Sequence, residues 1–418
     1  MKTGERYTVY ITDTNESGRG IAKNDGIVIF IPGLVSGESA EIEITDVRKN
    51  YAVGKTIRIT EKSVYRIAPI CRDSEKCGGC TLCHVSYEYE NEIKRNTVIN
   101  ALRRNGIRSD DVAETVHAPS RVAYRNKVTL HYDNKAHLLG FYSEETNEVV
   151  PFSGCRLLPE EFNEITAFLN DSSSLLDECK PEEVMLKSSS DGKVSVFVKT
   201  NGDISSRSDS MTVQFPFVYT VSTYDNAKGK YVTGEYRGVK MRFSALAFRQ
   251  VNDDAFSALL GIVSDMTDKT DFRVCADLYC GSGVIGLTLA KEHPEKQFYG
   301  IEINEDSIRD AKNNALENGI ENIKFYSGDA ASFRRNIPKE YLPDIVVVDP
   351  PRAGLSDKMK SELVSLTPER MIYVSCNPQT LARDIKYFTE NGYSLKSVTP
   401  VNMFPMTKHV ECVVLIEK

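Results

Sequence analysis

The sequence predicts a multidomain protein: an N-terminal OB-type β-barrel, a central α+β domain, and a C-terminal α/β domain of the doubly wound, Rossmann-like kind. Three observations carry this. Five short β-rich runs crowd into residues 1–62, as a small barrel requires. From about residue 251 onward, helical and strand patterns alternate, as in a parallel sheet covered on both faces. A glycine turn follows the first apolar strand of that region, at the edge where such sheets bind ligands. At 418 residues the chain is also too long for one compact core.

The barrel strands are "RYTVYIT", "GIAK", "GIVIFIP", "SAEIEITDV" and "AVGKTIRIT", broken by the turn signals "NESG", "NDG", "PGLVSG" and "RKNY". The central domain, residues 63–250, opens with "CRDSEKCGGCTLCH", four cysteines and a histidine in fourteen positions. An amphipathic helix follows near 88–106, within "YEYENEIKRNTVINALRRNG", ended by Gly106 and a candidate to pack on the C-terminal domain. Strands dominate again from about 121 to 250, interrupted by one helix near "PEEFNEITAFLNDSSSLL". Residues 251–418 make the α/β domain.

Composition bounds the class. Apolar and charged fractions of 41% and 27% are those of a soluble globular protein. The start, "MKTGERYTVY", lacks the apolar stretch of a signal peptide, and the longest apolar runs are too short to span a bilayer. A cytoplasmic location is therefore expected, where thiols stay reduced and clustered cysteines indicate metal binding or catalysis. The net charge of −7 argues against a protein that coats nucleic acid indiscriminately. Locally, Lys94, Arg95, Arg103, Arg104, Arg108, Arg121, Arg125 and Lys127 form a basic stretch able to neutralise several phosphates; from charge alone, a solvated helix face is the simpler reading.

"FRVCADLYCGSGVIGLTLAKEH" reads as apolar strand, glycine turn and helix, with Glu302 in "FYGIEIN" nineteen residues after Gly283. Glycines let the backbone approach a ligand closely, and a carboxylate at the next strand end binds ribose hydroxyls. A nicotinamide dinucleotide and S-adenosylmethionine both fit. Two later strands separate them: "PDIVVVDPPRAGL" ends in Asp349-Pro350-Pro351-Arg352, and "ERMIYVSCNPQTLARD" in Cys376-Asn377-Pro378. A strand-end cysteine is usually a small buried hydrophobe, but here Asn-Pro stops the strand and sets the sulfur at the rim. A dehydrogenase has no need of this aspartate and cysteine.

These segments, with "GRGIAKNDGIVIFIPGLVSGE", "CRDSEKCGGC", "YRNKVTL", "PFSGCRL", "AFRQVN" and "HVECVVL", stand in one order along essentially the whole chain. In them the chain resembles the RNA uracil-5-methyltransferase family, in its iron–sulfur branch acting on 23S ribosomal RNA. The resemblance implies a TRAM domain as the barrel and a class I methyltransferase fold as the α/β domain. It implies Cys376 as nucleophile and Glu411 as general base. Gln250, Tyr279, Gly281, Glu302 and Asp349 would contact S-adenosylmethionine. Cys71, Cys77, Cys80 and Cys155 would hold a 4Fe-4S cluster, with a structural role. Two departures stand out. The family usually has glutamine where this chain has Cys83, which makes Cys83 an alternative fourth ligand, and Val284 replaces a polar cofactor contact of some relatives. Zinc on Cys71, Cys77, Cys80 and His84 is the competing reading of the loop.

The implied chemistry explains the residue types. Uracil C5 is too weak a nucleophile to take a methyl group unaided. Thiolate addition at C6 makes C5 an enolate carbon, and a carboxylate then removes the C5 proton so that the thiol can leave. Glu411 precedes the apolar run "CVVLI", so it sits at the mouth of a buried strand, where desolvation raises basicity. The uracil must leave its stack to react, so the expected partner is a single-stranded ribosomal RNA loop, with no membrane and no obligate protein partner. The same reaction on a tRNA loop, or a non-catalytic iron–sulfur RNA-binding protein, are the alternatives; the intact Cys376 and Glu411 argue against the latter.

Overall fold

The computed structural model describes the whole chain except residues 72, 109, 144, 145, 147, 172, 203, 205–210, 270, 336 and 338–341. At the N-terminus, strands Arg6–Tyr10, Asp13–Thr14, Arg19–Asn24, Ile27–Pro32, Ser39–Val47 and Tyr51–Glu61 form one sheet. In chain order its neighbours run 1-5-6-4-3-2, which is the OB-type barrel. Alternation builds its core: Ala40, Ile42 and Ile44 turn inward onto Val9, Ile29 and Ile31, while Glu41 and Glu43 turn outward to Arg58 and Arg6. The two-residue strand Asp13–Thr14 escapes sequence reading because two residues carry no period. Gly18, at φ +68°, lies against the cysteine loop; a Cβ there would fall 1.9 Å from the Thr81 carbonyl oxygen. Only glycine lets the barrel seat on that loop.

The central sheet runs Val149–Pro151, Leu138–Tyr142, Lys127–Asp133, Glu183–Ser188, Val194–Lys199, Val218–Thr223. The helix expected over it is two, Glu160–Asp171 and Ser173–Cys179. Phe162, Ile165 and Leu169 of the first are buried with Leu130, Leu139 and Val196 of the sheet.

The C-terminal sheet orders Ile323–Ser327, Gln297–Glu302, Val274–Leu278, Ile345–Val348, Arg370–Ser375, Glu411–Glu417, Ser394–Asn402 and Val116–His117. The first five strands are parallel, and Glu411–Glu417 lies antiparallel between its two neighbours. Strands such as "IVVV" and "RMIYVS" are buried along their whole length, as strands covered on both faces are. One face packs on helix Asp253–Asp268 and the hairpin Tyr231–Tyr236/Val239–Ser244, through Phe256, Leu259, Val232 and Phe243. The other face receives helix Tyr87–Arg104, whose Val98, Ala101 and Leu102 join Leu381, Ile385 and Val398. That helix is capped by Ser86, whose hydroxyl accepts from the Tyr89 amide. Among the described residues no helix is long and apolar enough to cross a membrane.

The basic stretch does not form one solvated surface. Lys94 is buried and ion-paired with Glu90, itself fully buried, at 3.2 Å. Arg121 donates to the same carboxylate at 2.7 Å, and Arg95 donates to the carbonyls of Val112 and Ala113. Three of the eight residues are therefore engaged inside the molecule, which charge counting along the sequence does not reveal.

Candidate active site

Strand register brings the two predicted catalytic residues together. Ser375 pairs with Cys412 across an antiparallel ladder, so the next residues toward the rim, Cys376 and Glu411, face one another. Cys376 is half-buried and Glu411 buried. Burial, then the charge of Glu411, pushes the Cys376 thiol up to about 11, while Arg352 opposes the rise. Burial, then Asp349, pushes the Glu411 carboxyl up to about 8, again opposed by Arg352. Asp349 itself is raised by burial to about 7. Cys376 and Glu411 thus share one opposing cation, the exposed Arg352, and both also feel Asp349.

That burial has a thermodynamic signature. Because the folded-state value of Glu411 lies above its ordinary 4.5, folding favours the protonated carboxyl. The associated stability is fully present below the unfolded value and is lost as pH rises through about 8. Glu411→Gln, which cannot ionise, should therefore be more stable than wild type at pH 8 by on the order of 3 kcal/mol, and nearly level with it at pH 5. Denaturant midpoints at the two pH values measure this, and equal gaps at both would refute it.

Tyr279, Gly281 and Glu302 gather at the turn after strand Val274–Leu278, and Asp349 follows the neighbouring strand Ile345–Val348. After strand Val274–Leu278 the chain turns through Tyr279, Gly281 and Gly283 at φ of +66°, +54° and +86°. A Cβ on Gly283 would come within 2.9 Å of the Phe325 ring, whereas one on Gly281 would meet nothing. Gly281 therefore leaves an open approach to the backbone, and Gly283 allows close packing. Glu302 spans the turn, accepting from the amides of Gly281 at 3.3 Å and Asn304 at 2.9 Å. Gln250 is fixed through its carbonyl, which accepts from Asn126 at 2.8 Å. Beside it, the buried Arg249 bonds Tyr236, Ser188, Thr233 and Asp253. This clamp holds the segment while Phe248 stays 71% exposed.

Sequence reasoning missed three rim residues. Arg352 and His409 stood inside quoted segments, but only structure joins them, at 3.1 Å between Nη2 and Nδ1. Asp329 follows strand Ile323–Ser327 and pairs with Lys358 at 3.0 Å; the strand-end carboxylate in "YSGDA" was its one signal. Asp277 beneath them is buried, one oxygen accepting from Gly286 at 2.8 Å and the other without a partner among the described residues.

The cysteine loop folds against the same side of the molecule. All ten cysteines are free thiols. Burial raises Cys80, and charge on Cys155, Cys83 and Cys71 adds to that; Cys155 is raised likewise, with Cys71 and Cys77 contributing. The five thiols are thus within electrostatic reach of one another. Asn163 holds Cys155 by its amide at 2.8 Å, and Cys83 is buried against Leu157 and Met406. Arg125 lies among the thiols, opposing the rise of Cys77, Cys80 and Cys155, and its buried Nε has no partner among the described residues. Among the described residues, no three Cys, His, Asp or Glu side chains are grouped as a single metal ion needs.

Comparison with known proteins gives the arrangement its class. Residues 1–57 match the TRAM domain and residues 228–418 match tRNA (uracil-5-)-methyltransferase, so the molecule is a TRAM-bearing, S-adenosylmethionine-dependent methyltransferase. It is 32% identical over 450 residues to an uncharacterized RNA methyltransferase of Caldanaerobacter subterraneus subsp. tengcongensis, covering 100% of this chain and 99% of the relative. A second RNA methyltransferase, from Clostridium acetobutylicum, is 32% identical over 459 residues, covering 100% and 98%. The chain belongs to the RNA (uracil-5-)-methyltransferase family. Its fold is similar to that of Pyrococcus abyssi tRNA (uracil-54, C5)-methyltransferase in complex with S-adenosyl-L-homocysteine, with a TM-score of 0.76 and 24% identity over 98% of this chain and 99% of that one.

Proposed function

We propose that the protein methylates C5 of a specific uridine in 23S ribosomal RNA through a covalent adduct between Cys376 and uracil C6. The register that sets Cys376 opposite Glu411 is the observation that carries this reading. Cys376 adds to C6, C5 becomes nucleophilic, and Glu411, already raised to about 8, accepts the C5 proton as the thiolate leaves. S-adenosylmethionine, when bound, supplies the methyl group on a sulfonium. Gly281 would give backbone access to it, Glu302 would offer a carboxylate to its ribose, and Tyr279, Gln250 and Asp349 would contact the rest. The same reaction on a tRNA loop is the second reading, favoured by the tRNA (uracil-5-)-methyltransferase description of residues 228–418. Offering purified rRNA and tRNA separately as substrates decides between them.

Glu302→Ala should weaken cofactor binding more than it slows the bound enzyme, because a ribose contact serves ground and transition states alike. Calorimetry with S-adenosylmethionine checks this, and unchanged affinity would move the ribose elsewhere.

The thiols suit a 4Fe-4S cluster. One zinc ion gathers its ligands about 2.3 Å from a single centre, whereas a cluster spreads thiolates over several irons. Arg125, whose buried Nε has no partner among the described residues, matches the negative charge of such a group. Cys71, Cys77, Cys80 and Cys155 would hold it. Protein purified anaerobically should be brown with about four irons per chain. Cys155→Ala should lose the colour and Cys83→Ala keep it; the reverse would make Cys83 the fourth ligand, and a colourless zinc protein would refute the cluster.

A further inference from the structure

Residues 403–410 connect strand Ser394–Asn402 to the strand that begins with Glu411, and much of this connection is held from outside the sheet. Asn252 Nδ2 donates to the Met403 carbonyl at 3.1 Å. Lys94 Nζ donates to the Phe404 carbonyl at 2.9 Å, and Tyr124 Oη to the Pro405 carbonyl at 3.2 Å. The Met406 amide donates to Glu90 at 2.9 Å, and its carbonyl accepts from the Leu82 amide of the cysteine loop at 2.9 Å. Met406 is kept at φ +66° by this grip, a conformation that a non-glycine residue adopts only when its surroundings impose it. Four consecutive residues are thus clamped by the cysteine loop, helix Tyr87–Arg104, Tyr124 and Asn252.

What the clamp delivers is His409. The imidazole is half-buried, with its ring edge-on to Phe404 at 5.9 Å. Burial, together with Arg352, Lys408, Lys94 and Arg125, pushes it down to about 4, so it is neutral; a guanidinium has only donors, so the Nδ1 that faces Arg352 is the accepting nitrogen. Arg352 Nη2 meets that nitrogen at 3.1 Å. The backbone of Arg352 is fixed by Asn377 and Thr380, which both donate to its carbonyl. Its side chain makes no salt bridge among the described residues, although it is the cation that offsets the burial of both Cys376 and Glu411. An exposed arginine without such a tether samples many rotamers.

We propose that His409 is a positioning residue: its Nδ1 accepts from Arg352 and holds the guanidinium beside Cys376 and Glu411, and the clamp on residues 403–406 fixes the imidazole for that task. The functional meaning rests on the proposed roles of Cys376 and Glu411; the geometry does not.

The test needs neither RNA nor cofactor. The full-length protein is treated with iodoacetamide at pH 8, and alkylation of the Cys376 peptide is followed by mass spectrometry. Losing the guanidinium raises the thiol pKa, and each unit lowers the thiolate fraction about tenfold. Arg352→Ala should therefore slow alkylation about tenfold and His409→Ala about three- to tenfold. His409→Asn, which restores a side-chain acceptor, should recover most of the rate. His409→Phe, which keeps an aromatic ring against Phe404 without an acceptor, should remain as slow as His409→Ala. Tyr124→Phe, one donor short in the clamp, should fall between wild type and His409→Ala. Should His409→Ala not fold, the contrast between Asn and Phe still decides. Wild-type rates in His409→Ala, or a fast Phe variant beside a slow Asn variant, would overturn the proposal, as would an Arg352→Ala enzyme alkylated at the wild-type rate. A wild-type protein that transfers no methyl group yet shows the Asn–Phe contrast would sink the functional reading alone.

Discussion

Glu411→Gln, given unmodified RNA and S-adenosylmethionine, should accumulate a covalent protein–RNA adduct that survives denaturing gels. Attack by Cys376 and methyl transfer precede proton removal, so deleting only the base lets the first half run and stalls the second. Turnover should fall about 10²–10⁴-fold, the usual worth of a general base. Cys376→Ala should form no adduct, alone or combined with Glu411→Gln, because the attacking sulfur is gone. Intact mass spectrometry shows whether the trapped nucleotide carries the methyl group. A Glu411→Gln enzyme near wild-type rate would remove Glu411 from the base role. An adduct in the double variant would remove Cys376 as nucleophile and direct attention to Cys280 and Cys412, although both are buried.

Lys94→Ala should cost about 3–5 kcal/mol of stability, the usual consequence of removing one partner of a buried ion pair. Its amine, 1% exposed, serves Glu90, Asn402 and the Phe404 carbonyl. Glu90 in turn accepts from Asn402, Met406 and Arg121, so removing the amine unbalances a network joining helix Tyr87–Arg104 to the connection before Glu411. Urea unfolding midpoints measure the loss, and a cost under about 1 kcal/mol would mean the network compensates without Lys94.

The sequence exposes the rim of the C-terminal sheet well because local rules decide it. Apolar runs such as "DIVVVDP" end in proline, so the strand and the point where its chemistry emerges are written in adjacent residues. The glycine turn is legible for the same reason: φ +86° at Gly283 is a demand on one residue. Pairing Cys376 with Glu411 needs the register of strands 35 residues apart, which pattern alone does not supply. Lys94 is the plainest failure. In a run of lysines and arginines it reads as a solvated face, yet its amine lies on the Phe404 carbonyl, 310 residues away in sequence. The His409–Arg352 contact was hidden likewise, because two polar residues in separate loops announce no partner.

The most direct test of the account is nucleoside mass spectrometry of RNA incubated with the purified protein and S-adenosylmethionine. The account predicts new 5-methyluridine in unmodified 23S rRNA, at one or a few defined positions, lost with Cys376→Ala. An active preparation that binds S-adenosylmethionine yet leaves 5-methyluridine unchanged in both rRNA and tRNA would contradict it.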